Sequence, residues 1–163
     1  MAMTGTPLWG MLQRAIDVWA LLGGVVLVVL VLINVWAVAG EFFGIGFAGD
    51  VELTEMGVAA AAFAFLPYCQ LHRQNVRADL FTAATGPRIR RVLDSFASAV
   101  ALGFAAILLW RMFFGLIDQR TFGYSSTILQ VPTWWVFIPV LISLFLLVVA
   151  ALMTLLADVA GDA

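Results

Sequence analysis

The stretch Val18–Gly40, VWALLGGVVLVVLVLINVWAVAG, decides the fold: it carries no charge over 23 residues. About 20 apolar residues, rising about 1.5 Å each, cover a hydrocarbon core about 30 Å thick. Three further stretches have the same character. Leu53–Leu71 contains only Glu55, near its first turn. Val92–Ile117 has Asp94 at one end and Arg111 toward the other, with a charge-free centre from Ser95 to Trp110. Thr121–Ala157 is uncharged throughout. This last run exceeds one crossing, so a helix is expected from about Pro132, where proline suits a first turn, leaving Thr121–Val131 as a lumenal or re-entrant segment. The reading is an all-α integral membrane protein: a single four-helix transmembrane domain over residues 1–163, with spans at about 18–40, 53–71, 92–117 and 132–157. Pro67 and Pro139 fall inside spans, where each removes a backbone hydrogen bond and is expected to bend its helix.

Composition agrees. Of 163 residues, 64% are hydrophobic and 11% charged, and the mean hydropathy is +1.07. Soluble domains run at about 45–50% apolar and about 25% charged. A net charge of −2, with eight arginines and no lysine, lacks the basic footprint of a nucleic-acid binder. A single cysteine, Cys69, excludes an internal disulfide and a multi-cysteine metal site. A single histidine, His72, excludes a bis-histidine haem and the HExxH zinc motif.

Basic residues accumulate in short loops that stay in the cytoplasm. Arg73, Arg77, Arg88, Arg90 and Arg91 lie between the second and third spans, and Arg14 precedes the first. Glu41, Asp50 and Glu52 occupy the first loop with no basic residue. Both termini are therefore expected in the cytoplasm, and a cleavable signal peptide is not expected. Within the basic loop, Pro87 can open an amphipathic helix. Ile89, Val92, Leu93 and Phe96 share one face of it, with Arg88, Arg90 and Arg91 off that face. Such an interfacial segment, running into the third span, either grips headgroups or a partner or simply marks topology.

Small residues recur at Ala97, Ala101 and Ala105 in the third span, and at Gly57 and Ala59–Ala64 in the second. These faces are expected to meet. A bulkier row, Phe96, Val100, Phe104 and Leu108, suits lipid or another protein. Trp36, Trp110, Trp134 and Trp135 fall near outer span ends, and Trp134 and Trp135 in particular read as interface anchors.

Candidate chemistry is sparse. No acid, Arg or His occupies the middle of any span, where a transporter or proton relay of its own places an ionisable group. Asn34 reads as an interhelical hydrogen-bonding residue. Glu55 and Arg111 fall toward the same outer side on spans expected to be antiparallel neighbours. They read as a structural ion pair, with separate snorkelling as the alternative. His72 has no nucleophile motif around it, and Cys69 reads as a small buried residue. No catalytic residue, cofactor or metal ligand is assigned.

Particular residues point to a family. The run Arg73-Gln74-Asn75-Val76-Arg77-Ala78-Asp79-Leu80-Phe81 follows the second span and precedes Pro87 and an arginine cluster. It resembles the small membrane subunit of tripartite ATP-independent periplasmic (TRAP) transporters. Val76, Asp79 and Leu80 fit the family pattern, and Asn75 stands where the family has a histidine. Glu52-Leu53-Thr54-Glu55, opening the second span, also agrees. Leu129-Gln130-Val131-Pro132-Thr133-Trp134-Trp135 is similar to the family's Leu-x-Ile-Pro-x-Trp-Trp. The resemblance covers about Asn34 to Ala157. It departs after Asn34-Val35, where the family often has Arg-Tyr and this chain has Trp36 to Ala39.

The resemblance implies a non-enzymatic scaffold subunit in the bacterial cytoplasmic (inner) membrane. Its partners would be a large, elevator-type membrane subunit that carries substrate and ions, and a periplasmic substrate-binding protein. Cargo would be organic acids such as C4-dicarboxylates, imported with an ion gradient, commonly sodium. Arg73, Arg77, Asp79, Arg88, Arg90 and Arg91 would contact lipid or partner. The alternatives are the small subunit of another tripartite carrier, or an integral membrane enzyme acting on lipid or quinone.

Overall fold

A computed structural model of the chain describes residues 7–72 and 87–160. The described residues form four helices: α1 Pro7–Phe42, α2 Asp50–Leu71, α3 Pro87–Phe122 and α4 Trp134–Ala160. Among the described residues there is no strand, only an isolated bridge between Ser125 and Pro132. Three helices contain stretches long and apolar enough to cross a membrane, Trp9–Phe42, Ser95–Phe122 and Trp134–Asp158. α2 is not among these three, because alanine fills its centre and acids its first turns.

Helix ends follow backbone signals rather than hydropathy. α1 begins at Pro7, well before the charge-free run, because proline suits a first turn and nothing between Pro7 and Phe42 breaks the ladder. At 36 residues it is about 54 Å long and extends beyond a bilayer core. It stops where Gly44, at φ +73°, turns the chain, with the Phe43 and Ile45 amides donating to the Gly40 carbonyl. α2 opens with Asp50 and Glu52, whose charges suit the positive end of the helix. α3 runs unbroken from Pro87, so the helix expected to open there and the third span form one element. Its side chains through Val92, like the whole of residues 73–86, lie outside the described residues, and so does the amphipathic pattern expected there. Pro67 and Pro139 fall inside α2 and α4.

Spatial order differs from chain order. α1 packs on α2, α2 on α4, and α4 on α3. The α1–α2 seam is antiparallel: Asn34 meets Thr54, Leu30 covers Gly57, Gly23 lies on Ala61 and Ala64, and Asp17 meets His72. The α4–α3 seam is antiparallel as well, with Gly115 against Phe137 and Ser98 against Asp158. α2 and α4 run parallel, joined near one end by Gln70 and Thr154.

This order corrects the expected contact between the second and third spans. α4 separates them, because it offers small or polar residues to its neighbours: Ser143, Ala150, Ala151 and Thr154 are all buried. The small stripe of α2 is used on α1 instead. Of the third-span stripe, Ala105 is buried, Ala101 half-buried and Ala97 exposed. Both edge helices keep broad apolar faces open, including Leu21, Val28 and Leu32 of α1, and Phe96, Phe104 and Ile107 of α3.

Candidate functional site

Polar side chains gather at the two ends of the helices. At the acidic end, the loop between α3 and α4 folds back on itself. Ser126 N donates to Val131 O, and Thr133 N donates to Tyr124 O. Gly123 and Gln130 take left-handed backbone angles, φ +63° and +55°. Glycine adopts that angle freely, whereas Gln130 is held in it by its own side chain, whose Nε2 donates to Thr127 O.

Two successive amides of this loop point at one carboxylate. Ile128 N donates to Glu52 Oε1 at 2.9 Å, and Leu129 N to Glu52 Oε2 at 3.0 Å. Consecutive N–H groups aimed at one point form an anion-holding concavity, here filled by the protein's own carboxylate. The Leu129 side chain lies over Gly49, where any Cβ would collide with it. Glu52 and Leu129, each part of a separate sequence mark, thus form one latch. The Leu129 amide is the largest influence and desolvation the next, opposing it; with the Ile128 amide, the Ser126 hydroxyl and the Thr127 amide added, the Glu52 carboxyl is held below its ordinary value of 4.5.

A lowered carboxyl favours the closed latch while it is ionised. The contribution is complete above the ordinary value of 4.5 and is lost as the pH falls through the depressed one. Hydrogen exchange at Ile128 and Leu129, corrected for intrinsic rates, should stay slow from neutral pH down to about 5 and rise below 4.5. Glu52→Ala should exchange fast across that range. Equal protection in wild type and variant at pH 7 would show that the carboxylate does not close the loop.

Two residues further along α2, Thr54 Oγ1 accepts from Asn34 Nδ2 at 2.7 Å and donates to Asp50 O at 2.7 Å. The bond to Thr54 meets the interhelical role expected of Asn34, whose Nδ2 also donates to Leu30 O on its own helix at 2.8 Å. The Arg120 guanidinium lies 5.7 Å from the centroid of the Trp134 ring, which packs edge to face with Trp135. Glu55 and Arg111 do not form the expected pair. Both side chains are exposed, and α4 lies between their helices. Elsewhere, His72 meets Asp17 at hydrogen-bond distance.

At the opposite end, which leads into the arginine-rich loop, His72 Nε2 lies 2.9 Å from Asp17 Oδ1, and the Tyr68 ring packs on the imidazole at 4.3 Å. Gln70 Nε2 donates to Thr154 Oγ1, Trp19 Nε1 to Ser143 Oγ, and Ser98 Oγ to Asp158 Oδ2 at 2.7 Å. Asp158 is 1% exposed. Sequence reading missed Asp17, Gln70 and Asp158. Ala151, Thr154 and Asp158, spaced three and four apart along an apolar helix, were the available signal. Arg73, Arg77 and Asp79 lie outside the described residues, as do the side chains of Arg88, Arg90 and Arg91 in the first turns of α3.

Among the described residues no three His, Cys, Asp or Glu side chains converge as a metal set. Half-buried Cys69 is free. What the arrangement does physically is hold helices together: a carboxylate latch at one end, three cross-helix polar contacts at the other, and the Trp19–Ser143 bond between them.

No curated protein and no solved structure matches the chain. A family model does match, over residues 30–161, and its description is the DctQ component of tripartite ATP-independent periplasmic transporters. The matched span starts inside α1 and takes in both halves of the Glu52–Leu129 latch and all of α2, α3 and α4. On that match the chain belongs to the DctQ family of TRAP transporter components.

Proposed function

We propose that this chain is the scaffold subunit of a secondary transporter that imports organic acids, C4-dicarboxylates among them, coupled to sodium. The family match carries the reading. It has a large elevator-type membrane subunit doing the transport, and a periplasmic protein delivering substrate. The absence of any charged residue between Val18 and Gly40, and between Thr121 and Ala157, supports a static role. So do the broad apolar faces left open on α1 and α3.

In this reading all four helices cross the bacterial inner membrane, α2 included. Its contacts with α1 run from Thr54–Asn34 to His72–Asp17, a matched length of about 26 Å along α1. Both termini and the arginine loop are cytoplasmic, and Trp134 and Trp135 anchor the outer interface. Arg73, Arg77, Asp79, Arg88, Arg90 and Arg91 contact inner-leaflet lipid or the large subunit. Arg111, on the open face of α3, snorkels to the outer headgroups or meets another subunit.

A cysteine placed in the loop at Gly46, in a background lacking Cys69, should react with an impermeant thiol reagent added to intact cells. Labelling only after lysis would reverse the orientation. Affinity-tagged chain, extracted in mild detergent, should bring down one large polytopic membrane protein in near-equal amount, and Arg77→Ala should reduce that yield or make it depend on added lipid. Recovery of the chain alone under conditions that keep it folded would remove the scaffold reading. A fully assembled Arg77→Ala complex that no longer transports would instead give that residue a direct mechanistic role.

A further inference from the structure

A groove of about 610 Å³ runs along α1 and α2, from Asp17 and Tyr68 at the arginine-side end up past Leu21 and Gly24 to Val28. Its lining is apolar except at that end, where Asp17 is the single carboxylate. Asp17 is 45% exposed, and His72 engages its Oδ1. An ionised carboxylate has about four acceptor positions, so room remains for a further donor.

Depth gives the groove its meaning. From Leu53 to Leu71, α2 makes about 29 Å, close to the thickness of a bilayer core, so its last turn and cap at His72 mark one headgroup level. Asp17 stands at that level through its contact with His72. Gly24 and Val28 lie about 10 and 17 Å further along α1, at acyl-chain depth. A carboxylate at the polar end and an apolar trough beneath it match a cationic amphiphile standing in one leaflet.

We propose that this groove holds one aminophospholipid, its primary ammonium on Asp17 and one acyl chain laid along Gly24 and Val28. A carboxylate selects a headgroup that brings both positive charge and N–H donors. Choline lacks the donors, and phosphatidylglycerol brings only negative charge. The site rests on the reading that α2 crosses the membrane.

Full-length chain in detergent, titrated with phosphatidylethanolamine, phosphatidylcholine or phosphatidylglycerol of identical acyl chains, is to be read by native mass spectrometry. Phosphatidylethanolamine should be retained about fivefold better than either other lipid, the scale of one exposed ion pair. Asp17→Asn should erase that preference, and His72→Gln, which breaks the same helix contact but keeps the carboxylate, should retain it. A Cβ at Gly24 meets nothing within 4 Å. Gly24→Leu should therefore fill the trough without disturbing packing and reduce binding of all three lipids to background. Equal retention of the three lipids, a preference that survives Asp17→Asn, a His72→Gln loss as complete as that of Asp17→Asn, or binding that survives Gly24→Leu would each overturn the site. Release of the chain from membranes by alkaline carbonate would overturn the spanning reading itself, whereas an integral chain without amine preference overturns the lipid site alone.

Discussion

Deletion of this chain should reduce organic-acid uptake to background while the partner binding protein keeps its ligand affinity in solution. The expectation follows from a division of labour: the chain offers no midplane charge with which to carry substrate or ions, yet presents open apolar faces on two edge helices. Loss of such a scaffold removes the fixed surface against which a partner moves, so uptake fails without any change in recognition. Uptake in reconstituted vesicles, measured beside calorimetry of the isolated binding protein, separates the two. Undiminished uptake by the remaining components would remove the scaffold role, and a parallel fall in ligand affinity would place the chain in substrate recognition.

The second large effect is expected at the α1–α2 seam. At Gly23 a Cβ would stand 2.9 Å from the Ala64 Cβ and 3.5 Å from the Ala61 carbonyl oxygen. Two helix backbones approach there more closely than a side chain allows, which is how helices associate in lipid, where apolar burial offers little drive. Gly23→Leu should force α1 off α2, at a cost of about 1–3 kcal/mol for overpacking. It should also loosen the Asn34–Thr54 and Asp17–His72 contacts on either side of the seam. Gly24→Leu, one residue on and open at its Cβ, is the matched control and should lose no stability. Thermal unfolding of the two purified variants in the same detergent gives the comparison. Equal midpoints would show that the close approach at Gly23 is unimportant.

Much of the architecture was legible in the sequence because each apolar run carries its own message. Val18–Gly40 reads as a membrane helix from length and lack of charge alone, and α1 contains it. Pro87 and Pro132 mark expected helix openings through their backbone chemistry; α3 starts at Pro87, and α4 at Trp134, two residues past Pro132. Asn34 announced a hydrogen bond because a lone amide in an apolar run needs a partner, and Thr54 supplies it. The quoted motifs also led to the family, and the match over residues 30–161 bears that out.

Neighbour choice was not legible. Stripes of small residues on the second and third spans pointed to each other, yet α4 stands between them, and the Glu55–Arg111 pair drawn from that neighbourhood does not form. The latch was hidden for a related reason: its two amides lie 76 and 77 residues from its acid, and backbone N–H groups leave no trace in composition. Asp158 likewise reads as the polar end of a helix until Ser98 is found against it. Hydropathy and periodicity describe one helix at a time, so the sequence by itself determined which segments are apolar, where they start and which family they belong to. Which helices touch was decided only in the tertiary structure. In a medium as apolar as the side chains, the choice among faces rests on close backbone approach and on hydrogen bonds between residues far apart in the chain.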